Sequence, residues 1–285
     1  VLAPIILSSV ILADADQLTA DLATMDATAR TLRLDELAGR VIMPYTLMAC
    51  ALLGLGLLVR FSPLPELEAD KDEGSVEGSI LAYPRLVLGV IALFLYVGVE
   101  VMAGDTIGLY GQSLGVPLSD AKYFTALTLI AMVLGYMIGN LTIPRFISQS
   151  RALTVSAIVG ILFTAMAALV PSTVLVSVPF VDLANFSVIE LTVPLTVVFI
   201  ALLGLANALV WPAIWPLAIH GLGRYTGIGS ALLIMAIVGG AILPKVYGML
   251  AEGPVGYQSA YWMMIPCYLF IGWYGVRGWR KMAWS

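Results

Sequence analysis

The sequence predicts an all-α fold, a bundle of helices that crosses a membrane several times. Hydrophobic residues make up 60% of the 285 residues and charged residues only 11%, whereas soluble domains carry about 25% charged residues. Several separate apolar runs reach the roughly 20 residues that a helix needs to cross about 30 Å of hydrocarbon. A membrane β-barrel would instead show short strands of alternating polarity. We therefore expect a polytopic helical membrane protein.

The first 60 residues contain one complete span, at 41–59, and a polar segment before it. Residues 1–13 are apolar but too short to cross a membrane, and they begin with Val1. We expect them to complete a helix that starts further upstream. Residues 14–40 are polar, with Leu18, Leu22 and Met25 at helical spacing. This spacing predicts an amphipathic helix at the surface.

A polar linker divides the chain into two regions. Residues 61–84 are rich in proline, glycine, serine and acidic side chains, a composition typical of loops. We place residues 1–60 at the end of one half of the protein and residues 85–285 in the other half. Six further spans are predicted beyond the linker, at 86–103, 123–141, 152–170, 192–219, 226–250 and 257–276.

Six helices after a central acidic loop are typical of one half of a transporter that is built from two six-helix halves. With the preceding part, the register fits the end of helix five through helix twelve of a twelve-helix protein. The chain is therefore expected to be a fragment that lacks the first four to five helices.

The distribution of positive charge predicts the orientation in the membrane, because loops on the cytoplasmic side carry the excess of lysine and arginine. With a cytoplasmic linker, nine of the 14 basic residues lie on the cytoplasmic side and five on the other. The linker and the C-terminus are therefore expected in the cytoplasm. The nine are Arg60, Lys71, Arg85, Arg145, Arg151, Arg224, Arg277, Arg280 and Lys281, and the five are Arg30, Arg33, Arg40, Lys122 and Lys245.

A stripe of small residues follows one face of the span at 226–250. The small residues Gly229, Ala236, Gly240 and Pro244 are separated by seven, four and four residues. Such spacings place them on one face of a helix. Helices in lipid associate through such stripes because small residues let two backbones approach closely. The stripe predicts a helix that packs or slides against another helix. Ordinary tight packing without a role in transport is an equally good interpretation.

Glu100 is the leading candidate for function, because an ionisable group inside a span is costly and usually faces a cavity or a partner. It lies deep in the span at 86–103, with Tyr96 one helical turn earlier. We interpret Glu100 as an acceptor for a sugar hydroxyl or as a protonatable coupling group. The alternative is a hydrogen-bonded packing residue.

Asp105 and Lys245 lie at similar depths in their own spans, near the outer third. They are candidates for an outer gate in which opposite charges offset each other's desolvation. The alternative is that each side chain reaches the membrane interface separately.

An amide and two indoles share one face of the span at 192–219. Asn207, Trp211 and Trp215 are spaced by four residues, and an amide beside indoles suits a hexose, whose hydroxyls need hydrogen bonds while its C–H face packs on an aromatic ring. Interfacial anchoring is the alternative for Trp215. Pro212 and Pro216 predict kinks, which free backbone carbonyls. Weaker polar candidates are Gln112, Thr125, Thr128 and Asn140.

Motifs for metal, nucleotide or nucleophilic chemistry do not occur in the sequence. Cys50 and Cys267 stand alone in apolar runs, and His220, the only histidine, lies in a predicted turn. The net charge of -4 comes mainly from two acidic loops and indicates no nucleic-acid partner. We therefore expect neither an enzyme nor a metal protein.

Several segments resemble the fucose-galactose-glucose:proton symporter family of the major facilitator superfamily, above all its glucose/galactose branch. The segment GYMIGNLTIPRFISQSRAL also resembles a degenerate loop motif of the superfamily. The resemblance covers residues 41–285. The segments that carry it are FLYVGVEVMAGDTIGLYGQSLG, NALVWPAIWPLAIHGLGRYTGIGSALLIMAIVGGAILP and YWMMIPCYLFIGWYG.

The resemblance implies the major facilitator fold and two six-helix bundles that rock around a central hexose site, with protons as the coupling ion and no other cofactor. It places Tyr96, Glu100, Asn207 and Trp211 on the sugar-facing wall, and the proton-linked carboxylates mainly upstream of Val1. It further implies a protein of the bacterial inner membrane that is a monomer when complete. The alternatives are a sugar facilitator, a carrier of another small solute and, from a different class, a membrane sensor that does not transport.

Overall fold

The computed structural model describes residues 15–62, 79–182 and 187–284, and most of this part of the chain is helical. Six helical segments in it are long and apolar enough to cross a membrane. The all-α prediction is therefore confirmed for the bundle. The six segments are Ala27–Arg60, Pro84–Asp105, Leu118–Thr142, Gln149–Leu169, Leu195–Ile219 and Thr226–Ala251.

The N-terminal region forms two helices, α1 (Ala15–Thr24) and α2 (Ala27–Arg60). Asp26 caps α2, because its Oδ1 accepts a hydrogen bond of 2.8 Å from the backbone N–H of Ala29. The predicted span at 41–59 lies inside α2, and the polar residues 27–40 continue into it without a break. The polar segment is therefore not a single separate helix. The expectation for residues 1–13 falls outside the described residues.

The second region begins where the linker ends. Residues 63–78 of the predicted linker lie outside the described residues. The Oγ of Ser79 accepts a hydrogen bond of 3.2 Å from the N–H of Leu81 in a short 3₁₀ turn. Helix α3 (Pro84–Asp105) then begins with proline at its first turn, a position where the missing N–H of proline costs nothing.

Helices α4 to α13 follow, with one β-hairpin between α7 and α8. Short 3₁₀ turns join α10 to α11 and α12 to α13, so the predicted span at 257–276 is built from α12, the turn Tyr261–Met263 and α13. The helices are α4 (Ile107–Ser113), α5 (Leu118–Ala121), α6 (Phe124–Thr142), α7 (Gln149–Leu169), α8 (Leu195–Asn207), α9 (Val210–Ile219), α10 (Thr226–Met235), α11 (Gly239–Ala251), α12 (Tyr257–Ala260) and α13 (Met264–Val276).

Helix α3 lies at the centre of the bundle, in contact with α6, α8, α9, α11 and α13. Leu86, Leu93, Val99 and Met102 on α3 are completely buried. Helix α2, in contrast, has no buried residue. The packed core of the described chain is therefore formed by the region after the linker.

The hairpin was not predicted from the sequence. Strand β1 (Leu175–Asp182) pairs antiparallel with β2 (Ser187–Pro194), from Leu175 opposite Pro194 to Asp182 opposite Ser187. The predicted span at 192–219 begins too early, because its first residues belong to β2 and the helix starts only after Pro194. Phe180 is buried and packs on Tyr123, with ring centroids 4.9 Å apart. The hairpin thus packs against the residue that precedes α6.

The stripe of small residues packs against α3. Gly229 faces Leu86, Gly240 faces Val97 and Val101, and Ala236 is buried. All of these partners belong to the region after the linker. The stripe is therefore a packing surface inside this bundle, and whether the helix also slides during transport stays a prediction.

The closest approach of the two helices is at a glycine that the sequence analysis did not single out. A Cβ on Gly239 would overlap the backbone carbonyl of Phe94 on α3. Because only a residue without a side chain fits there, the two backbones are in direct contact. Gly204 on α8 lies equally close to the backbone carbonyl of Thr128 on α6.

Candidate functional site

The candidate site is built on α3 and on the interrupted segment α8–α9. Tyr96 and Glu100 lie one turn apart on α3 and therefore share a helix face. Tyr96 is buried, with 1% of its surface exposed, whereas Glu100 is half-buried. Side chains four residues apart on a helix are neighbours, so the Tyr96 phenol lies next to the carboxylate.

Trp211 on α9 extends this pair into an aromatic wall. Its ring meets that of Tyr96 edge-on, with centroids 6.4 Å apart. It stacks on Trp215 at 5.9 Å with an interplanar angle of 15°. Both indoles are half-buried, so their remaining surface is available to a ligand. The spacing of four residues thus brought the two indoles together as predicted.

The helical segment is interrupted between α8 and α9, close to Trp211. Helix α8 ends at Asn207 and α9 starts at Val210. Pro212 and Pro216 in α9 lack the N–H that would bond to the carbonyl four residues earlier. Transporters commonly place their binding sites at such discontinuous helices.

Asn207 lies behind the wall. It is 1% exposed, and its Oδ1 accepts a hydrogen bond of 2.9 Å from the Tyr268 hydroxyl. Its Nδ2 is buried and has no hydrogen-bond partner among the described residues. Glu100 and Trp211 are thus partly exposed, whereas Asn207 and Tyr96 are buried inside the bundle.

Two tyrosines complete the polar cluster and were missed in the sequence. Tyr136 on α6 and Tyr268 on α13 both lie within electrostatic range of Glu100 and Tyr96. Tyr136 is 42% exposed, and it borders a cavity of 250 Å³ that Asn140 and Gln149 also line. Neither tyrosine stands at helical spacing from a charged residue, so no local pattern marked them.

The weaker polar candidates serve mainly in packing. Thr125 and Thr128 donate hydrogen bonds to the carbonyls of Gly104 and Ala103 on α3, at 2.8 and 3.2 Å. Gln112 bonds back to the carbonyl of Gly108 at 3.4 Å and is exposed. The two threonine contacts tie α6 to α3, the helix that carries Glu100.

Asp105 and Lys245 are both exposed. Within the described residues, Arg33 and Arg40 form ion pairs with Glu36 on α2. No ion pair between Asp105 and Lys245 is seen in this part of the chain. Their pairing as a gate stays a prediction.

The architecture defines the class of protein. One structure of the fucose:proton symporter FucP of Escherichia coli matches the chain with a TM-score of 0.67 at 19% identity, over 95% of this chain and 64% of that one. A second FucP structure, described as a major facilitator superfamily transporter, matches with a TM-score of 0.66 at 20% identity, over 90% and 59%. The chain therefore has the same fold as these two structures, and its long apolar helices make it a multi-pass membrane protein.

Sequence relatives specify the resemblance further. The chain is 33% identical over 246 residues to the glucose/galactose transporter of Brucella abortus, which covers 85% of this chain and 54% of the relative. It is 25% identical over 255 residues to a putative glucose/galactose transporter of Helicobacter pylori, over 87% and 57%.

The L-fucose-proton symporter of Escherichia coli is 23% identical over 237 residues, over 80% of this chain and 49% of the relative. The names of these relatives confirm the predicted resemblance to sugar transporters. The chain spans about half the length of the curated relatives that it matches. No protein-family model matches it.

Proposed function

We propose that the chain forms the second part of a proton-coupled hexose transporter of the glucose/galactose or fucose type that works by alternating access. The observation that carries the proposal is the half-buried Glu100 one turn from Tyr96, whose ring meets the half-buried indole of Trp211, in a bundle with the fold of a sugar transporter. A carboxylate accepts hydrogen bonds from hydroxyl groups, and an indole face packs against C–H groups. A hexose offers both on one molecule.

Each residue of the wall has a defined role in this proposal. Trp211 stacks on the apolar face of the sugar, and Glu100 accepts a hydrogen bond from one of its hydroxyls. Tyr96 lies next to Glu100 on the same face of α3 and supports Trp211 by its edge contact. Asn207, held by Tyr268, forms the buried layer behind them. The protein binds and moves its substrate without changing it, so it is not an enzyme, and it needs no cofactor other than protons.

The other part of the transporter is proposed to cover the apolar surface that the described chain leaves exposed. Helix α2 has no buried residue although it is apolar enough to span a membrane. The curated relatives are about twice as long as the matched region. A second six-helix bundle of the same protein would complete the sugar cavity, and ligand and proton binding would shift the balance between its two orientations. Asp105 and Lys245 pair as an outer gate in one of these orientations.

We place the protein in the bacterial inner membrane as a monomer, with its C-terminus in the cytoplasm. Charge supports this orientation, because nine of the 14 basic residues then lie on the cytoplasmic side. Labelling of single cysteines introduced at Trp284, which is exposed at the C-terminal end, tests the orientation in inside-out and right-side-out vesicles. Labelling in right-side-out vesicles alone would place the C-terminus on the outer side and contradict the proposed orientation.

The transport proposal is tested with the complete gene product in proteoliposomes. Uptake of labelled galactose, glucose and fucose is measured with and without an inward proton gradient. We expect one of these sugars to accumulate and its accumulation to collapse when the gradient is dissipated. Uptake that ignores the gradient would identify a facilitator, and absence of flux for all three would leave a carrier of another solute.

Two variants test the site in the same assay. Trp211→Ala is expected to raise the KM for uptake about tenfold or more, because removing a buried aromatic contact typically costs at least about 1.4 kcal/mol. Trp273→Ala is the matched control, since Trp273 is a partly exposed indole on α13 that packs on Phe270. Glu100→Gln keeps the size of the side chain and removes its charge. Unchanged uptake in Trp211→Ala and Glu100→Gln would refute the assignment.

A further inference from the structure

A buried arginine lies at the other end of α3 from Asp105. Arg85, the second residue of α3, is 9% exposed. Its Nε donates to the carbonyl of Trp279, and its Nη1 donates to the carbonyl of His220 at 2.8 Å and to Nδ1 of the same residue at 3.0 Å. Its Nη2 donates to the thioether of Met282. Arg85 thus joins the start of α3 to the turn after α9 and to the C-terminal segment.

None of these partners is a carboxylate. Arginine can only donate, so Nδ1 of His220 is the acceptor of this hydrogen bond. Among the residues that the structure describes, no carboxylate forms an ion pair with Arg85. A buried charge without an opposite charge is costly. An anion that reached the guanidinium would therefore stabilise it.

A second hydrogen-bond donor without a partner lies close to Arg85. The indole ring of Trp279 has its centroid 6.0 Å from Cζ of Arg85, and its Nε1 is buried without a hydrogen-bond partner in the described chain. The thioether of Met282 is a weak acceptor, and Met282 itself is 74% exposed. A stronger acceptor that reached this site would replace the thioether at little cost.

A small cavity of 60 Å³ opens beside the guanidinium. It is large enough for several water-sized groups, since one such group needs on the order of 10–15 Å³ by the same measure. Two permanent cations and the only histidine face it, and none of its lining residues carries a negative charge. The lining residues are Tyr83, Arg85, His220, Gly221, Leu222, Lys281 and Met282.

We propose that this cavity binds a phosphate group. The planar guanidinium of Arg85 matches phosphate oxygens in a two-pronged contact, and Lys281, which lines the same cavity, can bring a second cation to it. Because Nδ1 of His220 accepts from Arg85, Nε2 of the ring is a further donor. The site lies at the start of a membrane-crossing helix, the depth at which basic pockets between helices meet lipid headgroups. The phosphate comes from an anionic lipid or from a soluble phosphate.

The first experiment measures thermal unfolding of the purified protein in detergent, in sodium phosphate and in sodium chloride at equal ionic strength. Lys281→Ala removes a cation at the exposed end of the chain and is not expected to disturb folding. It should weaken the apparent affinity for phosphate about tenfold. Arg151→Ala is the matched control, because Arg151 is an exposed cation at the start of α7, and it should leave the affinity unchanged.

The second experiment distinguishes the two sources of phosphate. The protein is placed in nanodiscs of phosphatidylcholine with and without phosphatidylglycerol, and bound lipid is counted by native mass spectrometry. Retention of phosphatidylglycerol that is lost in Lys281→Ala and kept in Arg151→Ala identifies the lipid headgroup as the ligand. A response to inorganic phosphate alone, with the same dependence on Lys281, identifies a soluble phosphate.

A third variant, Met282→Ala, tests the geometry from the opposite direction. It removes the thioether that occupies Nη2 of Arg85, so phosphate should bind at least as tightly as in the unmodified protein. The proposal is overturned if neither phosphate nor phosphatidylglycerol has an effect. It is equally overturned if the effects persist undiminished in Lys281→Ala, because nonspecific attraction to positive charge would then explain them. Sugar uptake is not needed for any of these readouts.

Discussion

Gly239→Ala is the substitution that most directly tests how the bundle is held together. Gly239 is the first residue of α11, and a Cβ at this position would overlap the backbone oxygen of Phe94 on α3. A flexible side chain could rotate away from an added methyl group, but a backbone carbonyl inside a helix cannot. The substitution must therefore push α11 away from α3 or strain both helices.

The magnitude follows from two opposing effects. Adding a methyl group to a well-packed interface costs about 1–3 kcal/mol, and contact with backbone places Gly239→Ala at the upper end of this range. Replacing glycine by alanine in a helix regains at most about 1 kcal/mol. We expect a net loss of about 2 kcal/mol in the free energy of unfolding. The site residues are affected too, because Tyr96 and Glu100 lie on the part of α3 next to this contact.

Gly248→Ala provides a control on the same helix. Gly248 also belongs to α11, but no atom lies within 4 Å of the position that its Cβ would take. Its substitution keeps the gain in helix propensity and has no steric cost, so stability should stay equal or rise by up to about 1 kcal/mol. Both substitutions replace glycine by alanine on the same helix, so their effects on stability should differ only through packing.

The assay is reversible unfolding of the purified protein in mixed micelles, followed by tryptophan fluorescence as the denaturing detergent is increased. The expected difference in the free energy of unfolding between the two variants is about 2–3 kcal/mol, from the packing cost and the propensity gain together. Equal stability of the two variants would show that α3 and α11 do not approach each other as closely as described. The role of the small-residue stripe as a packing surface would then be refuted.

Two further substitutions test other contacts in the same unfolding assay. Tyr268→Phe leaves Oδ1 of Asn207 without its donor, which should lower the free energy of unfolding by about 1–3 kcal/mol. Replacing Asn207 by leucine in the same variant should recover part of this stability. If it recovers none, the hydrogen bond is contradicted. Gly204→Ala should cost about 1–3 kcal/mol because its methyl group would overlap the carbonyl of Thr128. A Gly204→Ala variant as stable as the unmodified protein would show that α6 and α8 are further apart.

The membrane-crossing helices were predictable because lipid offers the backbone no hydrogen-bond partners. An apolar run of sufficient length must then form a helix whatever its neighbours are. The predicted span at 86–103 accordingly lies within Pro84–Asp105, and the span at 152–170 nearly coincides with Gln149–Leu169. An error arose at the hairpin formed by Leu175–Asp182 and Ser187–Pro194. The last β-branched residues of its second strand were mistaken for the start of a helix.

The candidate site was predictable only where its residues belong to one helix. Tyr96 with Glu100, and Trp211 with Trp215, are separated by four residues, and this spacing alone places each pair on a common face. Tyr136 and Tyr268 reach the cluster from α6 and α13, and no local spacing connects them to Glu100. The burial of Tyr96 and Asn207 behind the wall also depends on the packing of several helices.

The sequence by itself determined that this protein is a bundle of membrane-crossing helices and that its segments resemble those of sugar transporters, because apolar length and local motifs are properties of contiguous residues. Only the tertiary structure decided which faces meet. It placed the small-residue stripe against α3 and brought Trp211 to Tyr96. It also gathered Arg85, His220 and Lys281 around one cavity. Such contacts join residues that are more than a hundred positions apart in the chain, and their partners are set by how closely whole helix surfaces fit together.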